Sequence, residues 1–104
     1  MYNNILAPVN IQSNTSKEIL QNASKMAVEH DAKLYVLHAS SKNIPEAIKE
    51  EEKDVFKEQL DLISDRVEYT EIIQEGKPEK VIEETVQSEP IDLIVISSTN
   101  RTKL

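Results

Sequence analysis

A chain of 104 residues with 12 basic and 19 acidic side chains has material for a single domain, residues 1–104, whose core needs no disulfide or structural metal. The lone Gly76 excludes phosphate loops that rely on several glycines, both the Walker A and the dinucleotide type, and the absence of Cys excludes thiol catalysis, iron–sulfur clusters and zinc ribbons. A formal charge of −7 opposes nucleic acid and anionic membranes.

The first apolar run, Ile5, Leu6, Ala7 and Val9, is the length of a strand buried on both faces, with Pro8 limiting ladder bonds near its end. Thr15 and Glu18 have capping-box spacing, and Ile19, Leu20, Ala23, Met26 and Ala27 share one face, which predicts a helix to about His30. Lys33 to Ala39 reads as a second strand. Pro45 then opens a long acidic helix in which Ile48, Val55 and Leu62 recur every seven residues, supported by Phe56 and Ile63. Between Glu46 and Asp65 there are eight acidic and three basic residues, a local charge of −5, so this helix is expected to be the least buried.

Val67 to Ile73 carries charge on both faces, as an edge strand does to discourage unwanted pairing. Gly76-Lys77-Pro78 turns into a helix with Val81, Ile82 and Val86 inward, and the Glu89-Pro90 step ends it, because a residue before proline avoids the helical region. Ile91 to Ile96 reads IDLIVI, the most apolar six residues of the chain and typical of a central parallel strand. Strands alternating with helices imply an α/β, three-layer fold with a parallel sheet joined by right-handed crossovers. Because IDLIVI is the last strong element, it is expected at an unprotected edge that recruits a second copy of the chain.

Met1 to Val9, Leu37-His38-Ala39, Gly76-Lys77-Pro78 and Ile91-Asp92-Leu93-Ile94-Val95-Ile96 resemble, in order and spacing, the first strand, second strand, Gly-x-Pro turn and fourth strand of the universal stress protein family. The resemblance implies an adenine-nucleotide α-hydrolase-like sheet ordered 3-2-1-4-5, a homodimer, stress-response roles and, in many members, ATP held between strands one and four. This chain is read as carrying strands 3-2-1-4 and lacking the family's last helix and last strand, like a truncated domain.

Several departures bear on function. Nucleotide-binding members of the family follow strand four with Gly-x-x-Gly and then a Gly-Ser or Gly-Thr, whereas Ser97 and Asn100 stand at the first two of those positions here. The acidic residue after strand one is Asn10, and the valine that packs on adenine corresponds to Ala39. Pro8, Val9, Asn10, Ala39, Ser97, Asn100 and Arg101 are therefore the candidate cofactor-binding residues of a degenerate site, with no bound cofactor expected and ATP as the alternative. Serine and asparagine obstruct the close backbone approach that glycine allows.

Other constellations are weaker. His38 has no acid or hydroxyl set beside it by any recognisable motif, and the Glu50-Glu51-Glu52 run reads as a solvated helix face. His30, Asp31 and His38 lack ligand spacing for a metal. Ser13, His38 and Asp92 have the residue types of a hydrolytic triad without a nucleophile elbow. With no basic leader and no apolar stretch of about 20 residues, a cytoplasmic, non-enzymatic protein that associates with itself is the expectation, with an ATP- or AMP-binding module, with or without slow hydrolysis, as the alternative.

Overall fold

The computed structural model describes residues 1–96 and, at the level of the backbone, residues 101–103. In chain order the elements are β1 (Asn4–Pro8), α1 (Ser16–His30), β2 (Lys33–Ser40), α2 (Glu46–Leu60), β3 (Tyr69–Glu75), α3 (Pro78–Ser88), β4 (Leu93–Val95) and β5 (Arg101–Lys103). The sheet runs β3-β2-β1-β4-β5. β3, β2, β1 and β4 are mutually parallel, so the 3-2-1-4 order read from the sequence is the order observed.

Period-two alternation divides the sheet into two faces. Ile5, Ala7, Leu34, Val36, Leu93 and Val95 pack under α1 and α2, while Leu6, Tyr35, Leu37 and Ile94 pack against α3 through Val81. Right-handed crossovers leaving β1 in opposite directions require this distribution. α1 ends where Asp31 takes a left-handed backbone (φ 51°), with Asp31 N–H donating to the Val28 carbonyl and Ala32 N–H to that of Ala27. These crossed bonds satisfy carbonyls that the last helical turn would leave free.

Three expectations need correction. First, β4 is not an open edge, because β5 pairs with it antiparallel, Val95 opposite Arg101 and Leu93 opposite Lys103. The connection from β4 to β5 is too short for a crossover helix, so the chain can only reverse. Second, no side chain caps α1 from Thr15, which sits in a helical backbone conformation. Ser13, two residues earlier, instead shapes the approach to the helix, its Oγ accepting from the N–H of Thr15 at 3.2 Å. Third, the heptad row of α2 is not its buried face. Phe56, Leu60 and Ile63 are buried in the core, whereas Ile48, Val55 and Leu62 stay exposed. Spacings of three and four keep a row facing one way along a helix of 3.6 residues per turn, and the larger Phe56 aligns with Leu60 and Ile63 at those spacings.

Candidate functional site

β1 and β2 end on the same side of the sheet, and the loops that leave them, joined by the β3–α3 turn, enclose a cleft of about 520 Å³. It lies next to the point where the chain reverses its direction of strand addition, between β1 and β4, the usual ligand position in an open α/β sheet. Pro8, Val9, Asn10 and Ala39 are brought together in its wall. Ser97, Asn100 and the side chain of Arg101 lie outside the described residues.

Each loop has a local reason for its course. Pro8 has no N–H to offer, and the ladder resumes one residue later with Val9 N–H donating to the Leu37 carbonyl at 2.9 Å. Asn10 then folds back on its own loop, its Oδ1 accepting the Gln12 N–H at 3.1 Å and its carbonyl accepting the Ser13 N–H at 2.9 Å. This Asx turn ties the side-chain oxygen of Asn10 to the backbone of its own loop. From the far side, Gln59 of α2 donates through Nε2 to the Ile11 carbonyl at 3.0 Å, which fixes the β1–α1 loop to the helix layer.

Gly76 closes the third side. Its φ of +141° is a backbone conformation that side-chain-bearing residues rarely adopt, and a Cβ there would meet Val81 Cγ2 at 3.1 Å. Its N–H donates to the Ser40 carbonyl at 2.9 Å, tying the β3–α3 turn to the end of β2. Pro78 and Ile82 follow from α3 and add apolar wall.

The side chain that sequence reasoning missed is Glu52. Its Oε1 lies 3.4 Å from His38 Nε2, and the two side chains are only 15% and 7% exposed. The imidazole also stands against the Phe56 ring, with centroids 5.6 Å apart. An acid is therefore set beside His38 after all, and the Glu50-Glu51-Glu52 run is not uniformly solvated. The available signal was the four-residue step from Glu52 to the buried Phe56, which puts both on one face of α2. His30 lies elsewhere, at the end of α1 against Tyr2, and does not converge with His38.

Outside the cleft, Lys49 and Glu75 form a direct ion pair. That hydrogen bond is the main reason the Glu75 carboxyl is held below, and the Lys49 amine above, their ordinary values. The Tyr69 phenol at the start of β3 is pushed up, first by partial burial and then by Glu71 and Asp61. Among the described residues no group of three or more His, Asp or Glu side chains could hold a metal. No helix among them is long and apolar enough to cross a membrane.

The strand order, the cleft and the Gly76 turn define a universal stress protein-type α/β domain. The sequence matches the profile of the universal stress protein family over residues 1–104, and the chain belongs to that family. No curated protein matches it significantly. Among solved structures it is similar to a universal stress protein, UspA, from Lactobacillus plantarum, with TM-score 0.76 and 24% identity over 91% of this chain and 76% of that one. It is similar also to a universal stress protein from Archaeoglobus fulgidus, with TM-score 0.78 and 20% identity over 92% and 76% of the two chains. A third, a universal stress protein in complex with cAMP, aligns with TM-score 0.76 and 18% identity over 89% of this chain and 70% of that one.

Proposed function

We propose that this chain is a non-enzymatic, cytoplasmic stress-response protein whose nucleotide cleft has degenerated. The observation that carries this reading is Asn10 itself: where nucleotide-binding relatives have an acidic side chain, a neutral amide stands in the cleft wall with its oxygen accepting the Gln12 N–H. A triphosphate needs converging N–H donors and cationic groups, and a chain of net charge −7 starts at a long-range disadvantage. Serine and asparagine at positions 97 and 100 remove two of the glycines that let backbone donors approach phosphate. Losing two or three such contacts, at roughly 1.5–3 kcal/mol each for a charged acceptor, weakens binding by about a hundredfold or more.

The second reading, an adenine-nucleotide binder, is favoured by the cleft itself, whose wall includes Val9, Ile11, Leu37 and Ile82, and by the relative that was crystallised with cAMP. Calorimetric titration with Mg·ATP, AMP and cAMP separates the two. The degenerate-site reading expects no saturable heat in the low micromolar range. A dissociation constant of about 10 μM or tighter for any of the three, or adenine nucleotide carried through purification, overturns it in favour of the second.

We also propose that the chain forms a homo-oligomer that buries the β4 region, where Ile96 at the end of the apolar run is 46% exposed. Light scattering at about 0.1 mM tests this, since a micromolar interface is occupied at that concentration and a monodisperse monomer rules it out.

A further inference from the structure

All three lysines of α2 fall in one row, where Glu50 pairs with Lys53, while most of its remaining carboxylates fall in another. Lys49, Lys53 and Lys57 follow one another at steps of four, and the first of them reaches β3 through Glu75. On the far side, Glu51, Asp54, Glu58, Asp61 and Asp65 follow one another at steps of three and four. All five are exposed, and among the described residues none of them is ion-paired. Beside this acidic row runs the heptad row, with Ile48 40%, Val55 38% and Leu62 38% exposed. Leu62 lies just past the helix in a turn that continues its winding, with Leu62 N–H donating to the Gln59 carbonyl at 3.1 Å. At 1.5 Å per residue the apolar row is about 20 Å long, the length of three turns of a partner helix and more.

We infer that this face of α2 is a docking surface for a cationic amphipathic helix of another protein. Ile48, Val55 and Leu62 recur once per heptad and so offer a partner helix a single line of apolar contact, with Glu51, Glu58 and Asp65 at the intervening positions that a two-row seam would make apolar. The core does not use this repeat, because Phe56, Leu60 and Ile63 already fill the inward face. The flanking row decides the partner's charge. Five exposed carboxylates, offset along this row only by Lys57, three residues from Asp54 and four from Asp61, favour lysine- or arginine-lined flanks on the incoming helix and repel a second copy of α2, which would bring the same acidic row. Inward contacts of the same helix, Glu52 to His38 and Gln59 to the Ile11 carbonyl, reach the cleft, so an occupant of the outer face is connected to it through one rigid element.

Fluorescence anisotropy with the full chain tests the inference. The probe is a labelled, amidated peptide of roughly three heptads with Leu at the a and d positions and Lys at e and g, compared with a scrambled peptide of the same composition. Saturable binding is expected at about 50 mM salt, with the scrambled peptide at least fivefold weaker. Val55→Asp and the double change Glu58→Lys, Asp61→Lys are each expected to weaken binding at least fivefold, while Lys53→Gln on the lysine row changes it less than twofold. Val55→Asp binding within twofold of the parent, or equal binding of the scrambled peptide, means that net charge alone attracts the probe and overturns the inference. So does absence of saturation. Sedimentation that shows a dimer dissociated by Val55→Asp overturns it too, since the occupant is then a second copy. Leu62→Ser is the substitute should Val55→Asp lose its circular dichroism.

Discussion

Asp92 holds Asn4 at both of its backbone polar groups. The carboxylate accepts the Asn4 N–H through Oδ1 at 3.0 Å, and the Asp92 N–H donates to the Asn4 carbonyl at 3.0 Å. The other carboxylate oxygen takes the Asn3 N–H at 2.9 Å. β4 begins only at Leu93, opposite Ile5, so these groups lie just before the ladder. A side-chain carboxylate completes the pairing there and fixes the register in which Ile5 and Leu93 meet under α1. Asp92 is therefore an architectural residue and takes no part in a hydrolytic triad.

Asp92→Ala is expected to cost about 1–3 kcal/mol, because two backbone donors lose a charged acceptor. Asp92→Asn is expected to cost less, since the amide oxygen can still accept from one of them. Urea denaturation midpoints measure both. Equal midpoints for the parent and Asp92→Ala contradict the role assigned to the carboxylate.

Glu52 and His38 make a second testable contact, between α2 and the end of β2. At 3.4 Å the bond is long, which puts its coupling near the lower end of the range for neighbouring residues, about 1 kcal/mol, despite burial. A double-mutant cycle with His38→Phe and Glu52→Leu isolates that figure. The double variant is expected to be more stable than the two single costs added together predict, because neither change then leaves a buried polar group without its partner. Strict additivity means that the two side chains are not coupled.

How much of this was legible in the sequence follows from the kind of signal each element carries. β1, β2 and IDLIVI stand out because a strand covered on both faces must be apolar at consecutive positions, as in Ile5-Leu6-Ala7 and Leu34-Tyr35-Val36-Leu37. Gly76-Lys77-Pro78 is legible because a positive φ and a helix start each demand a particular residue. β5 is not, since Arg101-Thr102-Lys103 has no apolar pattern and is a strand only by virtue of its pairing with β4. In α2 two apolar rows compete, and the seven-residue repeat of Ile48, Val55 and Leu62 is the more conspicuous, although Phe56, Leu60 and Ile63 are the residues that volume and spacing drive inward. The same choice of row hid Glu52. At the cleft, Pro8, Val9, Asn10 and Ala39 could be placed at strand ends from the sequence, whereas the Asn10 turn depends on rotamers and loop geometry that no pattern encodes.

Gly76→Ala is expected to destabilise the fold by about 1–3 kcal/mol, from a left-handed backbone and a methyl group crowding Val81. The effect should be larger than that of Ser41→Ala in the neighbouring loop, an exposed position within about 0.5 kcal/mol of neutral. Thermal melts compare the two, and a Gly76→Ala variant as stable as the parent means that the β3–α3 turn relaxes freely.

The ion pair between Lys49 and Glu75 gives stability a dependence on pH whose direction follows from both partners. Glu75 is depressed below its ordinary 4.5, chiefly by the hydrogen bond from Lys49 and then by the charges of Lys49 and Lys42. Its contribution is present above pH 4.5 and is lost as the pH falls through its lower, folded-state value. Lys49 is raised above 10.5, chiefly by its hydrogen bond with Glu75, so its contribution is complete below 10.5 and is lost as the pH rises through the higher, folded-state value. The pair thus stabilises over the whole interval between those limits. Glu75 is exposed and Lys49 half-buried at the surface, so water screens the pair and the gain is small, and about 1 M salt should shrink it further. The check is the stability difference between the parent and Glu75→Gln across a pH series. It should be level through neutral pH and close towards zero below pH 4.5, as the parent carboxyl takes up the proton that makes it, like glutamine, neutral. A difference that persists unchanged into strong acid shows that Glu75 acts through packing over β2 and α2 and that its charge contributes nothing.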